Sequence, residues 1–291
     1  MSTIIQTKRL TLPTSEISIF YREQGPETAP VILLLHGFPS SSHQYRKLIP
    51  LLATKYRVIA PDLPGFGFTE VPSPEFKYTF ANLTATISEF LDTLKIAKFS
   101  VYIFDYGAPT GLRLALERPQ AVTAIISQNG NAYEAGLGEF WTPIRAFWAG
   151  DNSPKERLAL KKSLLSFEAT RWQYDEGTRD LSAVAPESYH LDYALLQRPG
   201  NDEIQIDLFR DYDSNVKLYP EFHKYFRESQ VPLLAVWGKN DQIFVPGGAE
   251  AFKTDLPNAE VRLIDAGHFA VESDALLIGE AILAFLGRNG V

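Results

Sequence analysis

Six short apolar runs, each closed by a turn signal and alternating with helical stretches, constrain the fold of this chain more than any other feature. The runs lie at 31–35 (VILLL), 57–60, 99–104, 124–127, 233–237 and 260–264, with helical patterns at 45–53, 79–94, 110–117, 250–256 and 274–286. A strand that is apolar throughout is one covered on both faces, as in a parallel sheet flanked by helices. Strand alternating with helix therefore predicts an α/β fold, with a mostly parallel central sheet and helices on both faces. In such sheets the residues that handle ligands collect at the carboxyl ends of the strands.

The rhythm breaks between 131 and 215. This segment holds Trp141, Trp148 and Trp172, several tyrosines, and helical patches at 155–167 and 203–212, but no clear strand. An insertion of ~85 residues is too long for an ordinary loop. We expect a helical cap at 131–215 over a core formed by 1–130 and 216–291.

Composition narrows the function. Lys and Arg number 28 against 35 Asp and Glu, a net charge of −7. That balance argues against nucleic acid or an anionic membrane as partner, since both require basic patches. The absence of cysteine excludes disulfides, thiolate catalysis and thiolate metal sites. The aliphatic run VILLL is far shorter than the ~20 residues of a membrane span. The first residues lack the basic flank and apolar stretch of a signal peptide. The expectation is a soluble, cytoplasmic protein, with its oligomeric state open.

The strongest chemical motif is Asp105-Tyr106-Gly107. An apolar run stops at Asp105 and a helical stretch begins beyond Gly107, the strand–turn–helix layout of a nucleophile elbow. Here the nucleophile position carries a carboxylate, which can attack an electrophilic carbon and form a covalent ester. Taken alone, Asp105 could equally cap the helix that follows.

Two further motifs favour the catalytic reading. His36-Gly37-Phe38-Pro39 follows the first central strand. In this layout the turn supplies one backbone N–H of an oxyanion hole and the residue after the nucleophile supplies the other, which names Phe38 and Tyr106. Asp241 and His268 each follow a later apolar run. The order Asp105, Asp241, His268 is that of nucleophile, acid and base, with Asp241 orienting the imidazole of His268.

On these motifs, together with Asp62-Leu63-Pro64-Gly65-Phe66-Gly67, nearly the whole chain resembles the α/β-hydrolase superfamily. With Asp as nucleophile it resembles the branch of epoxide hydrolases and haloalkane dehalogenases. The resemblance implies a small apolar organic substrate and no metal or organic cofactor. It also implies proton donors in the cap, where epoxide hydrolases usually carry two tyrosines. Tyr212, with Asn215 close behind and about 29 residues before Asp241, matches one of them. No tyrosine stands where the other is usual; Trp148 lies in that neighbourhood, and Tyr174 and Tyr133 are substitutes by chemistry. His36 joins these as a candidate substrate contact, because the base in this order comes last.

Three positions depart from the branch's pattern. Residue 106 is Tyr where Trp is usual, which removes an indole halide donor; residue 104 is Phe where a polar residue is usual. Residue 103 is Ile, closer to the dehalogenase pattern, whereas Phe38 is the common epoxide hydrolase form. The leading expectation is an epoxide hydrolase that gives a diol. The alternatives are a haloalkane dehalogenase and, from another class, a ligand-binding receptor on a hydrolase scaffold.

Overall fold

The structure, a computed structural model, describes residues 4–291. Its centre is an eight-stranded sheet of order β1-β2-β4-β3-β5-β6-β7-β8. The strands are β1 Gln6–Thr11, β2 Ser18–Gln24, β3 Val31–Leu35, β4 Arg57–Pro61, β5 Phe99–Ile103, β6 Val122–Ser127, β7 Leu233–Gly238 and β8 Glu260–Ile264. From β4 to β8 every pairing is parallel, while β1 and β2 join antiparallel.

The inner parallel strands are almost wholly apolar because each feeds two cores. On β3, Leu33 and Leu35 enter one apolar layer and Ile32 and Leu34 the other; on β5, Val101 and Ile103 part from Tyr102 in the same way. The runs read from the sequence correspond to β3 through β8. The β1–β2 pair was not anticipated. One face of β2 is covered and the other half-exposed, so its residues alternate rather than form an apolar run. β8 is an edge strand, and its Leu263 is exposed.

Helices fill the connection from β6 to β7: Thr142–Ala149, Pro154–Leu164, Phe167–Asp175, Pro186–Leu196, Asn201–Lys217 and Tyr219–Ser229. The patch expected at 155–167 is two helices, because the Ser166 hydroxyl accepts from the Ala169 N–H and starts a new one. The boundary expected at 215 falls inside Asn201–Lys217. That helix is anchored to the sheet domain on several sides. Asp211 accepts from the Phe80 N–H at 2.7 Å, Gln205 donates to the Gly65 carbonyl at 3.1 Å, and Arg113 donates to Asn215 at 2.9 Å. Elsewhere the buried Glu272 accepts from Arg46 and Lys47 of the sheet domain and from Ser188 of the inserted helices. Among the described residues, no helix is long and apolar enough to cross a membrane.

Candidate active site

Asp105 follows β5 directly and sits at φ +46°. This left-handed region is uncommon for residues other than glycine, although Asp and Asn are enriched there. Strain of this kind collects at functional positions. It holds the carboxylate above the carboxyl edge of the sheet, at the start of helix Gly107–Glu117. Two glycines make the approach possible. A Cβ at Gly107 would lie 2.2 Å from the Leu35 carbonyl oxygen, and one at Gly37 would lie 2.1 Å from Asp105 Oδ1.

The Phe38 N–H donates to Asp105 Oδ1 at 2.6 Å. The Tyr106 N–H also bonds to the carboxylate and favours its ionised form. Burial nevertheless dominates and pushes the Asp105 carboxyl up to about 6, with the charge of Asp241 adding to the rise; His268 and the two amides pull it back. Asp105 is thus a poorly solvated carboxylate with Oδ1 pinned by the Phe38 amide.

His268 lies beyond the end of β8. Its Nδ1 is 2.8 Å from Asp241 Oδ2, and its Nε2 is 3.9 Å from Asp105 Oδ2. The second distance exceeds a hydrogen bond, and Nε2 has no partner. Burial works to lower the imidazole pKa, but the charge of Asp241, its hydrogen bond and the charge of Asp105 outweigh it, so the pKa rises. With an Asp carboxylate accepting at Nδ1, the neutral ring carries its proton there and presents a basic Nε2.

Asp241 is itself held. Its Oδ1 accepts from the Ile243 N–H at 2.7 Å, and its Oδ2 accepts from Asn129 Nδ2 at 2.6 Å. Asn129 Oδ1 in turn accepts from the Gly238 N–H at 2.9 Å. Asn129 is not among the site residues expected from the sequence. The available signal was its place at the end of β6, beside the strand that leads to Asp241.

Aromatic rings roof this group. Phe104 lies 4.6 Å from the His268 ring centroid. Tyr212 projects from helix Asn201–Lys217 and packs against Trp141 at 4.5 Å, Phe80 at 5.5 Å and Tyr106 at 5.8 Å. The hydroxyls of Tyr212 and Tyr106 are buried without a hydrogen bond of normal geometry. Burial, first of all, raises both phenol pKa values well above 10. The Tyr219 hydroxyl interacts with that of Tyr212 and receives a hydrogen bond from Asn131 at 3.1 Å. A buried polar group left unpaired costs about 1–3 kcal/mol, so native interiors rarely keep one without a use.

The structure therefore brings Asp105, Asp241, His268, Phe38, Tyr106 and Tyr212 together. The other expected substrate contacts need correction, because their polar groups are committed elsewhere. His36 is fully buried; its Nε2 accepts from the Leu63 N–H at 2.9 Å and its Nδ1 lies 3.1 Å from the Gly37 carbonyl. Burial lowers its pKa, so it is a neutral tie between two turns. Tyr133 donates to Asp255 at 2.8 Å and Tyr174 to Asp192 at 2.5 Å. Trp148 stacks parallel to Tyr212 at 6.2 Å, but its indole N–H donates to the Phe209 carbonyl at 2.8 Å.

Known proteins share this fold. A family described as the alpha/beta hydrolase fold matches residues 30–275. An uncharacterized hydrolase of Saccharomyces cerevisiae, YNR064C, is 47% identical over 278 residues, 94% of each chain. A haloalkane dehalogenase of Psychrobacter cryohalolentis is 40% identical over 294 aligned positions, covering 94% of this chain and 89% of that one. The crystal structure of haloalkane dehalogenase DbeA from Bradyrhizobium elkani superposes with a TM-score of 0.78 at 21% identity, covering 99% of both chains. The fold, the sequence match and the relatives agree, and the chain belongs to the α/β-hydrolase family.

Proposed function

We propose that this hydrolase opens small apolar epoxides through a covalent ester on Asp105. The observation that carries the reading is which donors are free to meet a leaving group. The indole N–H groups of Trp141, Trp148 and Trp237 donate to the backbone carbonyls of Ile243, Phe209 and Phe244, each at 2.8 Å. None of these three is left to hold a halide. The Tyr212 hydroxyl, by contrast, has no hydrogen bond of normal geometry. An alkoxide is a strong base that needs a proton as it leaves, and a phenol can supply one; a halide needs only a donor.

In this mechanism Asp105 Oδ2, the oxygen not bonded to Phe38, attacks an epoxide carbon. The carbon–oxygen bond breaks, and the oxygen takes the Tyr212 proton. Forming the ester removes the negative charge of Asp105, one of the influences that raise the His268 pKa. The imidazole pKa therefore falls when a base is needed. His268 Nε2 then takes a proton from water, which attacks Cγ of the ester. The oxyanion forms on Oδ1, against the N–H groups of Phe38 and Tyr106. Release of the diol returns Asp105 as a carboxylate, and the proton on His268 restores the phenol.

A second reading, dehalogenation by the same nucleophile, base and acid, is favoured by the relative that is named a haloalkane dehalogenase and is 40% identical over 94% of this chain. Incubation with styrene oxide and with 1,2-dibromoethane separates the two. We expect diol from the first, and a Tyr212→Phe loss of about 10²–10⁴-fold in the alkylation rate. Bromide release without diol, unaffected by Tyr212→Phe, would establish the second reading instead.

A further inference from the structure

We infer that the side-chain hydroxyl of Tyr106, besides its backbone N–H, is the second donor to the oxygen that leaves the epoxide carbon, acting with Tyr212. This rests on the epoxide reading above.

Tyr106 is the residue after the nucleophile, and its ring is 1% exposed. The ring sits between the sheet domain and an inserted helix, meeting Phe80 at 5.0 Å on one side and Tyr212 at 5.8 Å and Phe209 at 5.9 Å on the other. Its hydroxyl is buried without a partner. Other buried tyrosines of the protein are satisfied: Tyr45 donates to the Leu35 carbonyl at 2.8 Å and Tyr102 to Gln128 at 3.1 Å. Tyr106, whose hydroxyl has no partner, and Tyr212, whose hydroxyl meets that of Tyr219 without a bond of normal geometry, thus occur together near Asp105, and His268 Nε2 is unpaired there as well. A further unpaired phenol, Tyr225, lies apart from this group and interacts with Ser229 of its own helix.

Polar groups orphaned around one carboxylate are satisfied together if a polar atom of the substrate enters between them. Displacement by Asp105 Oδ2 drives the leaving oxygen to the side of the carbon away from the carboxylate, toward the inserted helix that carries Tyr212, whose ring lies 5.8 Å from that of Tyr106. That oxygen has lone pairs for both hydroxyls. One phenol transfers its proton as the carbon–oxygen bond breaks, and the other stays protonated and hydrogen-bonds the same oxygen. The resulting phenolate regains a proton from the His268 imidazolium formed in ester hydrolysis, so protons balance over the cycle. A lone phenolate in this apolar setting is disfavoured, since burial opposes its ionisation. A second donor shares the developing charge. Tyr106 would thereby supply the hydroxyl that the sequence lacks at the usual position in the cap.

The test is single-turnover kinetics with styrene oxide, resolving ester formation from ester hydrolysis, on the wild type, Tyr106→Phe and Tyr212→Phe. Tyr106→Phe should slow ester formation ~10–100-fold and leave hydrolysis unchanged. Ester formation within twofold of the wild type in Tyr106→Phe, with Tyr212→Phe slowed, would overturn the role of Tyr106 while the epoxide reading stands. Equal slowing of both steps would mark a packing effect and also overturn it. A wild type that yields bromide from 1,2-dibromoethane and no diol from styrene oxide would overturn both. If Tyr106→Phe folds poorly, 3-fluorotyrosine at position 106 keeps a hydroxyl and makes it more acidic. Ester formation should then accelerate, and an unchanged rate would refute the inference.

Discussion

Asn129 Nδ2 donates at 2.6 Å to Asp241 Oδ2, the same oxygen that lies 2.8 Å from His268 Nδ1. The carboxylate that steers the imidazole is thus itself steered, by an amide at the end of the neighbouring strand. Asn129 occupies the left-handed region at φ +51°, so Asn129→Gly removes the amide and keeps the backbone. Asp241 loses one of two fixed donors, and the Gly238 N–H loses its acceptor. We expect a stability loss of about 1–3 kcal/mol by thermal or denaturant unfolding. Ester hydrolysis should slow more than ester formation, because only the former uses the base.

A variant that cannot activate water should stop at the ester. His268→Ala is expected to bind one equivalent of substrate covalently and to turn over on the order of 10³-fold or more slowly. Intact-mass measurement after mixing, followed by peptide mapping to Asp105, checks it. Asp105→Ala should give neither adduct nor product. A folded His268→Ala protein with no adduct would remove the two-step mechanism.

The raised Asp105 pKa has a signed consequence for pH. The attacking group must be ionised, so ester formation should fall as pH drops through about 6. Stability runs the other way. The folded pKa lies above the unfolded value of 3.8, so the fold favours the protonated form. The penalty for the charge grows as pH rises from about 4 to about 6 and is constant above. Asp105→Asn removes the charge and should raise stability above pH 6 by about 3 kcal/mol, with little change near pH 4. Thermal melts of the two proteins at pH 4 and pH 8 measure the difference.

Glu272 accepts from Arg46, Lys47, Ser188 and the Ala185 N–H, while its side chain is 1% exposed. Glu272→Gln leaves the half-buried Arg46 without its counter-charge. We expect a loss of roughly 2 kcal/mol or more, and faster proteolysis around 176–186, where the inserted helices lean on Glu272. Melting temperature and limited proteolysis read the two effects separately.

Asp105 and His268 could be placed from sequence because strand ends can be read there. β5 is buried along its whole length and carries no charged residue, so its end is visible at Asp105; β8 is a half-exposed edge strand, and His268 was placed by the Asp265-Ala266-Gly267 turn that closes it. β2 escaped notice because a strand with one half-exposed face alternates its residues. Asn129 escaped because its role depends on β6 lying beside β7, two strands separated in the chain by the whole insertion. The same cause explains the tyrosines. Nothing local distinguishes Tyr212, whose hydroxyl lies within reach of the charge of Asp105, from Tyr133 and Tyr174, whose hydroxyls find Asp255 and Asp192. Tyr212 could be placed only through its spacing to Asp241. His36 was expected as a substrate contact from the turn after the first central strand, but its Nε2 partner is the Leu63 N–H of a different turn.

The Phe38 N–H that holds Asp105 Oδ1 makes the two carboxylate oxygens chemically distinct over the life of the enzyme. In the ester route the alcohol departs with Oδ2, and an oxygen from water takes its place. Each catalytic cycle therefore exports one atom of the protein and imports one from solvent. If Oδ1 stays pinned through the cycle, many turnovers in ¹⁸O-enriched water should leave Asp105 with a single heavy oxygen, whereas a carboxylate free to rotate would acquire two. The isotope content of that one side chain would record whether the backbone amide ever lets go.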